Sequence, residues 1–282
     1  MKRREFIAAV GGAAAWPLGV SAQQAGKVNR IGFLRVGFPP PSFIEPFRKG
    51  LRDLGYVEGQ SVAIEYGLAL TVAELPDTAA ELIRREVDVL VASGTPSVLA
   101  ARNATGRIPI VFVAAIDPVA TGVGATLARP GGNITGLTAI FADLIGKRLE
   151  LLKESLPTLS RVVLLSRAAN PGHTQYVREA ELAARTLRIQ LQVLSVDGPN
   201  DFEEAFRSVA GAGGLLQIDD AMFGSHGREL VELAARLRLP VVYGTREFVE
   251  GGGFMALGPS YSDLYRRAAT YLDKIFKGAP PG

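Results

Sequence analysis

The stretch Val87-Asp-Val-Leu-Val-Ala-Ser-Gly-Thr-Pro-Ser97 decides the fold, because it joins a nearly continuous apolar run to the start of a helix. An apolar run that does not alternate with polar residues is typical of a strand covered on both faces, as in a parallel sheet. Threonine before proline is a frequent helix start, since proline is tolerated at the first helical position. The stretch therefore predicts one strand–loop–helix unit of an α/β protein.

The same unit recurs along the chain. β-Branched apolar runs predict strands within residues 30–34, 87–92, 108–113, 161–166, 214–218 and 240–243. Apolar residues at helical spacing predict amphipathic helices, with the stripes Phe43, Phe47, Leu51 and Leu54; Leu75, Ala79, Leu82 and Ile83; Ile145, Leu149, Leu152 and Leu156; Leu230, Leu233, Ala234 and Leu237; and Tyr261, Leu264, Tyr265, Ala268, Leu272 and Ile275. Strands that alternate with helices predict βαβ units with right-handed crossovers.

The strand–helix pattern runs through two cycles. The run Arg129-Pro-Gly-Gly-Asn-Ile-Thr-Gly136 predicts a loop and then a strand that crosses between them, and the helix after Gly258-Pro259 is expected to return to the first. We therefore predict an α/β fold of two open parallel-sheet lobes with helices on both faces. The N-terminal lobe is expected to hold residues 29–140 plus 259–282, and the C-terminal lobe residues 141–258.

The first residues have the layout of an export signal. Lys2-Arg3-Arg4 is a basic opening, residues 7–20 form an apolar core too short to span a membrane, and Val20-Ser21-Ala22 offers a cleavage site. The string Arg3-Arg4-Glu5-Phe6-Ile7 resembles a twin-arginine motif, and a general secretory signal is the other route. We predict a signal peptide over residues 1–22 and a periplasmic protein.

Composition and motifs disfavour several classes of function. The formal net charge of +3 comes without a basic run interleaved with aromatic residues, so no nucleic-acid partner is expected. The chain has no cysteine, which excludes disulfides, cysteine–zinc sites and a lipid-anchored cysteine. It also lacks the G-x-S-x-G, P-loop and H-E-x-x-H motifs, and His173 and His226 stand far apart. We expect a monomer with no catalysis, cofactor or metal.

Candidate binding residues lie at the carboxyl ends of the predicted strands, where open parallel sheets bind ligands. They are Arg35, Ser93, Gly94, Thr95, Ile116, Asp117, Asn170, Asp219, Tyr243 and Thr245. A helix start presents unpaired N–H groups and a positive dipole end, so Ser93–Thr95 could hold a carboxylate. Asp117, or Asp219 rather than its neighbour Asp220, could accept from a ligand ammonium. The alternative is that Thr95, Asp117 and Asn170 simply cap helices before proline.

Longer strings carry a resemblance to a known family. They are Gly50-Leu-Arg-Asp-Leu-Gly-Tyr-Val-Glu-Gly-Gln-Ser-Val-Ala-Ile-Glu-Tyr66, Pro109-Ile-Val-Phe-Val113 with Asp117-Pro118, Leu127-Ala-Arg-Pro-Gly-Gly-Asn-Ile-Thr-Gly136 and Leu233-Ala-Ala-Arg-Leu-Arg-Leu-Pro-Val-Val-Tyr-Gly-Thr-Arg-Glu-Phe-Val-Glu-Gly-Gly-Gly253. They resemble the substrate-binding family of ABC transporters described as tryptophan/tyrosine-type. The resemblance implies a type I periplasmic-binding fold, no catalysis, an inner-membrane permease with its ATPase as partners, and a ligand carboxylate on Ser93–Thr95.

The sequence departs from the family pattern in two places, of which the first bears on folding and hinge closure and the second on the ligand. Members usually continue beyond a Lys-Gly-Ala-Pro stretch, which stands here at residues 277–280, and Gly67-Leu-Ala-Leu-Thr71 replaces a segment that is polar in them. Aromatic amino acids, branched ones and other small carboxylates therefore stay open. The sequence predicts an extracytoplasmic solute-binding protein that captures a small carboxylate, first of all an amino acid, and delivers it to an ABC permease. The alternative is a ligand-sensing subunit that feeds a sensor kinase or chemoreceptor.

Overall fold

The computed structural model describes residues 28–138, 142–209 and 211–282. The predicted signal peptide, residues 1–22, lies outside the described residues. The strands are β1 Asn29–Val36, β2 Val62–Ala69, β3 Val89–Ser93, β4 Ile110–Ala115, β5 Ile134–Thr138, β6 Arg161–Ser166, β7 Gln190–Ser195, β8 Gly214–Gln217, β9 Val241–Tyr243 and β10 Met255–Ala256.

The helices alternate with these strands. They are α1 Pro41–Asp53, α2 Leu75–Arg84, α3 Thr95–Ala104, α4 Ala142–Ser155, α5 His173–Leu187, α6 Phe202–Ser208, α7 Ala221–Ser225, α8 Gly227–Arg236, α9 Arg246–Glu250 and α10 Tyr261–Phe276, with short 3-10 turns at Val72–Glu74 and Pro199–Asp201.

The strands form two five-stranded parallel sheets with one shared order. The first sheet runs β2-β1-β3-β4-β5 and the second runs β7-β6-β8-β9-β10. In each sheet the second strand of the set lies at one edge, beside the first, and the others follow in chain order. The predicted fold class, two open parallel-sheet lobes with helices on both faces, is confirmed. We call the elements packed on each sheet the first and the second lobe.

Burial on both faces explains why the strands are almost continuously apolar. In β1, Ile31 and Phe33 pack in one cluster with Phe47 of α1, while Leu34 belongs to a second cluster with Leu82 of α2. The second lobe repeats this arrangement, since alternate residues of β6 join different clusters. Each sheet therefore has covered faces, and its strand ends are the places where the chain can face a ligand.

Helix α10 packs against the first lobe. The ring of Phe43 in α1 stacks on Tyr261 and Tyr265 of α10, each with a centroid separation of 5.3 Å. The two helices approach closely at Gly50, where an added Cβ would lie 2.4 Å from the carbonyl oxygen of Arg266. The domain limits of 29–140 plus 259–282 and of 141–258 stay a prediction.

The sequence reading missed β2, β7 and β10. Strand β7 is a sheet edge whose residues are exposed or half-buried, so its sequence alternates instead of forming an apolar run. Strand β10 has only two residues. Leu54 and Leu237, which were predicted in helical stripes, cap the C-terminal ends of α1 and α8 and are exposed.

Candidate ligand-binding site

A cavity of about 530 Å³ lies between the carboxyl ends of the strands of both sheets. Of the ten residues predicted from sequence, these line it: Arg35, Ser93, Gly94, Thr95, Ile116, Asn170, Asp219 and Thr245. Residues from both lobes therefore face one space. The volume suits a small organic ligand, since such sites commonly measure about 300–1,000 Å³.

Asp117 and Tyr243 do not line this cavity. The Asp117 carboxylate turns back on its own loop, where Oδ1 accepts from the backbone N–H of Ala120 at 3.0 Å. The Tyr243 ring is buried against Phe248, with stacked centroids 4.5 Å apart, and burial raises its pKa. One is a local turn contact and the other a packing residue, so we leave both out of the proposed site.

The start of helix α3 faces the cavity through Gly94, Thr95 and Ser97. Gly94 has φ +81°, a backbone conformation that favours glycine, and a Cβ added there would meet no atom within 4 Å. The hydroxyl of Thr95 accepts from the backbone N–H of Ile116 at 2.9 Å, which leaves its own proton available to donate. The hydroxyl of Ser93 is bonded to that of Tyr265. This loop can therefore offer hydrogen-bond donors to an anionic group.

Arg35, at the end of β1, is the buried cation of the first lobe, with 2% of its surface exposed. It donates to the carbonyl oxygens of Gly37 and Ala221, at 3.2 and 3.1 Å, and to the hydroxyl of Ser225 at 3.2 Å. Within the described ranges its Nε has no hydrogen-bond partner and its guanidinium forms no ion pair. Burial lowers the pKa of Arg35, against an opposing effect of Tyr265 and Asp220. An anion in the cavity would complement this charge.

The second lobe contributes a buried carboxylate at Asp219. Its Oδ2 accepts from the guanidinium of Arg148 at 2.7 Å, whereas its Oδ1 has no hydrogen-bond partner among the described residues. Gly244 lies against this carboxylate, and a Cβ there would come within 1.5 Å of Oδ1. Burial is the largest single effect and lowers the pKa of Arg148, but the charge and hydrogen bond of Asp219, together with Tyr176 and Tyr261, make the net shift upward. The contact with Arg148 therefore uses one oxygen of Asp219, and the other has no partner in the described part of the chain.

Asp220, the adjacent carboxylate, is already fully engaged. Its oxygens accept from the backbone N–H of Met222 and the side-chain amide of Asn170, each at 2.8 Å. Arg167 and His173 lie 3.4 Å from the same carboxylate. Burial opposes ionisation, but His173, Arg167 and Asn170 hold the pKa of Asp220 well below its usual range. Asp220 therefore caps α7 and stabilises the lobe, whereas Asp219 Oδ1 has no partner in the described structure.

Sequence reasoning missed Gln217 and Arg167, both of which line the cavity. Each is a buried polar residue at or just after the end of a strand, β8 and β6 respectively. Gln217 Oε1 and Arg167 Nε have no hydrogen-bond partner in the described structure. Both residues could have been predicted from the sequence, because each is a polar residue at the end of an apolar run. With Arg35 Nε and Asp219 Oδ1, the residues that line the cavity hold two buried donors and two buried acceptors that have no partner among the described residues.

Two further findings concern the described residues. None of their helices combines the length and the apolar character that a membrane crossing requires. Nor do these residues bring three or more histidine or acidic side chains into a group that could bind a metal ion.

Two parallel sheets of one strand order, whose carboxyl ends enclose a shared cavity, define a two-lobed binding protein with the type I periplasmic-binding fold. The chain belongs to the family described as ABC transporter substrate binding protein, whose profile matches residues 42–282. The resemblance seen in the sequence is thereby confirmed.

Relatives with assigned names and solved structures agree with this placement. A tyrosine-binding protein of Clostridioides difficile (strain R20291) is 25% identical over 240 residues, which cover 84% of this chain and 68% of the relative. A conserved domain protein from Vibrio cholerae has a similar crystal structure, with a TM-score of 0.84, 25% identity and coverage of 90% of this chain and 87% of that one. An ABC domain from Streptococcus pneumonia in complex with L-Trp shares the fold, with a TM-score of 0.81, 20% identity and coverage of 90% and 86%.

Proposed function

We propose that this protein is an extracytoplasmic solute-binding protein that captures an amino acid or a related small carboxylate and delivers it to an ABC permease. The observation that carries the proposal is a cavity wall with unused polar atoms of both kinds. Among the described residues, Arg35 offers a buried cation without an ion pair, and Asp219 offers a carboxylate oxygen without a hydrogen-bond partner. A zwitterion complements both. The family and the named relatives support the transport-linked role.

The carboxylate end of the ligand is assigned to the first lobe. The first turn of α3 presents backbone N–H groups and the positive end of its dipole, and the Thr95 hydroxyl has a proton to donate. The Arg35 guanidinium faces the same cavity. Hydrogen bonds from a cation to a carboxylate are among the stronger ones in proteins. This pairing would offset the cost of burying Arg35.

The ammonium end is assigned to the second lobe. Asp219 Oδ1 and Gln217 Oε1 are buried acceptors without partners within the described ranges, and their residues lie two apart at the end of β8. An ammonium has three N–H donors, so both oxygens can accept from it. The apolar walls near Phe43, Tyr261 and Phe248 would take the side chain. Aromatic amino acids are therefore the first ligands to test.

The experiment that tests this function is a thermal-shift screen followed by calorimetry. A ligand that binds only the folded protein raises its stability by mass action. We expect L-tyrosine or L-tryptophan to bind, and their analogues without the amino group to bind more weakly. A protein stabilised only by compounds without a carboxylate would contradict the proposal.

Export completes the proposed function. The predicted signal over residues 1–22 and membership of a transporter family favour a mature protein outside the inner membrane that binds without catalysis. Cell fractionation with N-terminal sequencing checks this. A protein that keeps Met1 and stays in the cytoplasm would contradict it.

Replacing Thr95 with alanine is expected to weaken binding of L-tryptophan or L-tyrosine by about ten- to a hundred-fold, because a lost hydrogen bond to a charged group costs about 1.5–3 kcal/mol. Stability should also fall by about 1–3 kcal/mol, since the buried N–H of Ile116 loses its acceptor. Calorimetry and urea unfolding measure the two effects. Thr95→Ser should retain both properties, and Thr186→Ala, on an exposed face of α5, is the control. Unchanged affinity in Thr95→Ala would place the carboxylate elsewhere.

Ligand binding is expected to close the two lobes by hinge bending, with the limits 29–140 plus 259–282 and 141–258 as the moving units. Contacts across the cleft, such as Arg35 with Ala221 and Ser225 with the carbonyl oxygen of Phe38 at 3.0 Å, support this proposal. Small-angle X-ray scattering should show a smaller radius of gyration at saturating ligand. Superimposable curves with and without ligand would argue for a rigid protein.

A further inference from the structure

Arg148 of α4 touches the proposed ammonium site without lining the cavity. Its side chain is fully buried, and its nitrogens donate to three acceptors. Nη2 donates to Asp219 Oδ2 at 2.7 Å, Nη1 to the carbonyl oxygen of Gln217 at 3.2 Å, and Nε to the carbonyl oxygen of Leu257 at 2.7 Å. One guanidinium therefore joins the end of β8, the ligand-facing carboxylate and a distant segment of the chain.

The contact with Asp219 decides which of its oxygens meets the ligand. Arg148 occupies Oδ2, and Gly244 leaves the space that Oδ1 takes up, since a Cβ there would collide with it. The guanidinium of Arg148 therefore binds one oxygen of the carboxylate, and the backbone of Gly244 packs against the other. A carboxylate oriented before binding loses less entropy when it accepts a ligand donor.

The contact with Leu257 reaches the connection between the lobes. Leu257 follows β10, and its backbone N–H donates to the carbonyl oxygen of Tyr243 at 3.0 Å, so it continues the second sheet. Residues 257–260 then lead into α10, which packs on α1 of the first lobe. A Cβ at Gly258 would lie 1.8 Å from the carbonyl oxygen of Gly244. The connection is therefore tightly packed against the strand end that backs Asp219.

We propose that Arg148 is a positioning residue, which turns one oxygen of Asp219 to the ligand ammonium and ties that carboxylate to the connection at Leu257. This inference rests on the proposed function. If Arg148 orients Asp219, it contributes to the protein's preference for ligands with an amino group. Through Leu257, the same side chain would also couple ligand binding to the segment on which the lobes would hinge. The three contacts use three nitrogen donors that the guanidinium of Arg148 holds in one plane. A lysine ammonium cannot reproduce this geometry.

The test compares ligands with and without the amino group. Calorimetry would measure L-tryptophan against indole-3-propanoate, and L-tyrosine against 3-(4-hydroxyphenyl)propanoate, in wild type, Arg148→Lys and Arg148→Met. We expect the amino preference to fall by about tenfold or more in Arg148→Met and less in Arg148→Lys, with the affinity for the propanoates changed by less than about threefold. Arg161→Met, on β6 with a side-chain contact to Gln192, is the control and should keep the preference.

A merely structural role would give a different pattern. Equal weakening of both ligands in the Arg148 variants, or a wild-type preference in both, would overturn the inference. The double variant Arg148→Met with Asp219→Asn should lose no more preference than Asp219→Asn alone, because the two side chains act as one unit. If Arg148→Met does not fold, Arg148→Lys carries the comparison. A wild-type protein without any amino preference would instead remove the proposed ammonium site and this inference with it.

Discussion

Replacing Asp219 with asparagine is expected to reduce amino-acid affinity and stability together. The amide has no charge to offer the ligand ammonium, which should weaken L-tryptophan binding by about ten- to a hundred-fold. The same change leaves the fully buried Arg148 without its carboxylate. Breaking a buried ion pair by removing one partner costs about 3–5 kcal/mol, and the amide oxygen of asparagine places the expected loss at the lower end. Calorimetry and urea unfolding of the ligand-free protein measure the two effects.

Asp117→Asn is the matched control for this experiment. Asp117 was the other carboxylate that the sequence offered to the ammonium, but its Oδ1 accepts from Ala120 in a partly exposed turn outside the cavity. We expect native affinity in Asp117→Asn, with at most a small loss of stability. A larger loss of affinity in Asp117→Asn than in Asp219→Asn would move the ammonium site to the first lobe. Native affinity in Asp219→Asn would remove the site proposed here.

The α/β fold and the position of the cavity could be predicted because their signals are local. Burial on both faces makes β3 and β6 continuous apolar runs, and the end of each such run marks where a parallel sheet can face a ligand. Ser93, Thr95 and Asn170 were found in this way, and all three line the cavity. Strand β7, at the edge of the second sheet, has no continuous apolar run, because each of its residues is exposed or half-buried.

The partners inside the site could not be predicted, because they come from distant parts of the chain. Arg148 is 71 residues from Asp219, and it sits in the middle of an amphipathic helix where an arginine usually faces solvent. The choice between Asp219 and Asp220 depends on that contact and on Asn170, which engages Asp220 from a separate loop. Sequence spacing places both carboxylates at one strand end, but only the packed structure shows which oxygen is unused.

Replacing Arg35 with methionine is expected to cause a large loss of ligand affinity without a matching loss of stability, whereas Asp219→Asn should lose both. Removing one partner of a buried charged contact costs about 2–5 kcal/mol of binding, or roughly thirtyfold to several thousandfold. The ligand-free protein gains by losing a buried cation that forms no ion pair among the described residues, and this gain offsets the lost hydrogen bonds to Ala221 and Ser225. Methionine is flexible enough to fill the apolar part of the space.

Arg30→Met is the control on the same strand, since Arg30 pairs with Glu65 at 3.2 Å on a half-exposed surface where such a pair contributes little. Calorimetry with L-tryptophan and indole-3-propanoate should show both ligands weakened alike in Arg35→Met, because both carry the carboxylate that Arg35 would meet. That signature separates Arg35 from Asp219, whose loss should affect only the amino compound. Native affinity in Arg35→Met would leave the carboxylate on the start of α3 alone. A fall in stability as large as that of Asp219→Asn would mean that Arg35 holds the lobes together in place of binding the ligand.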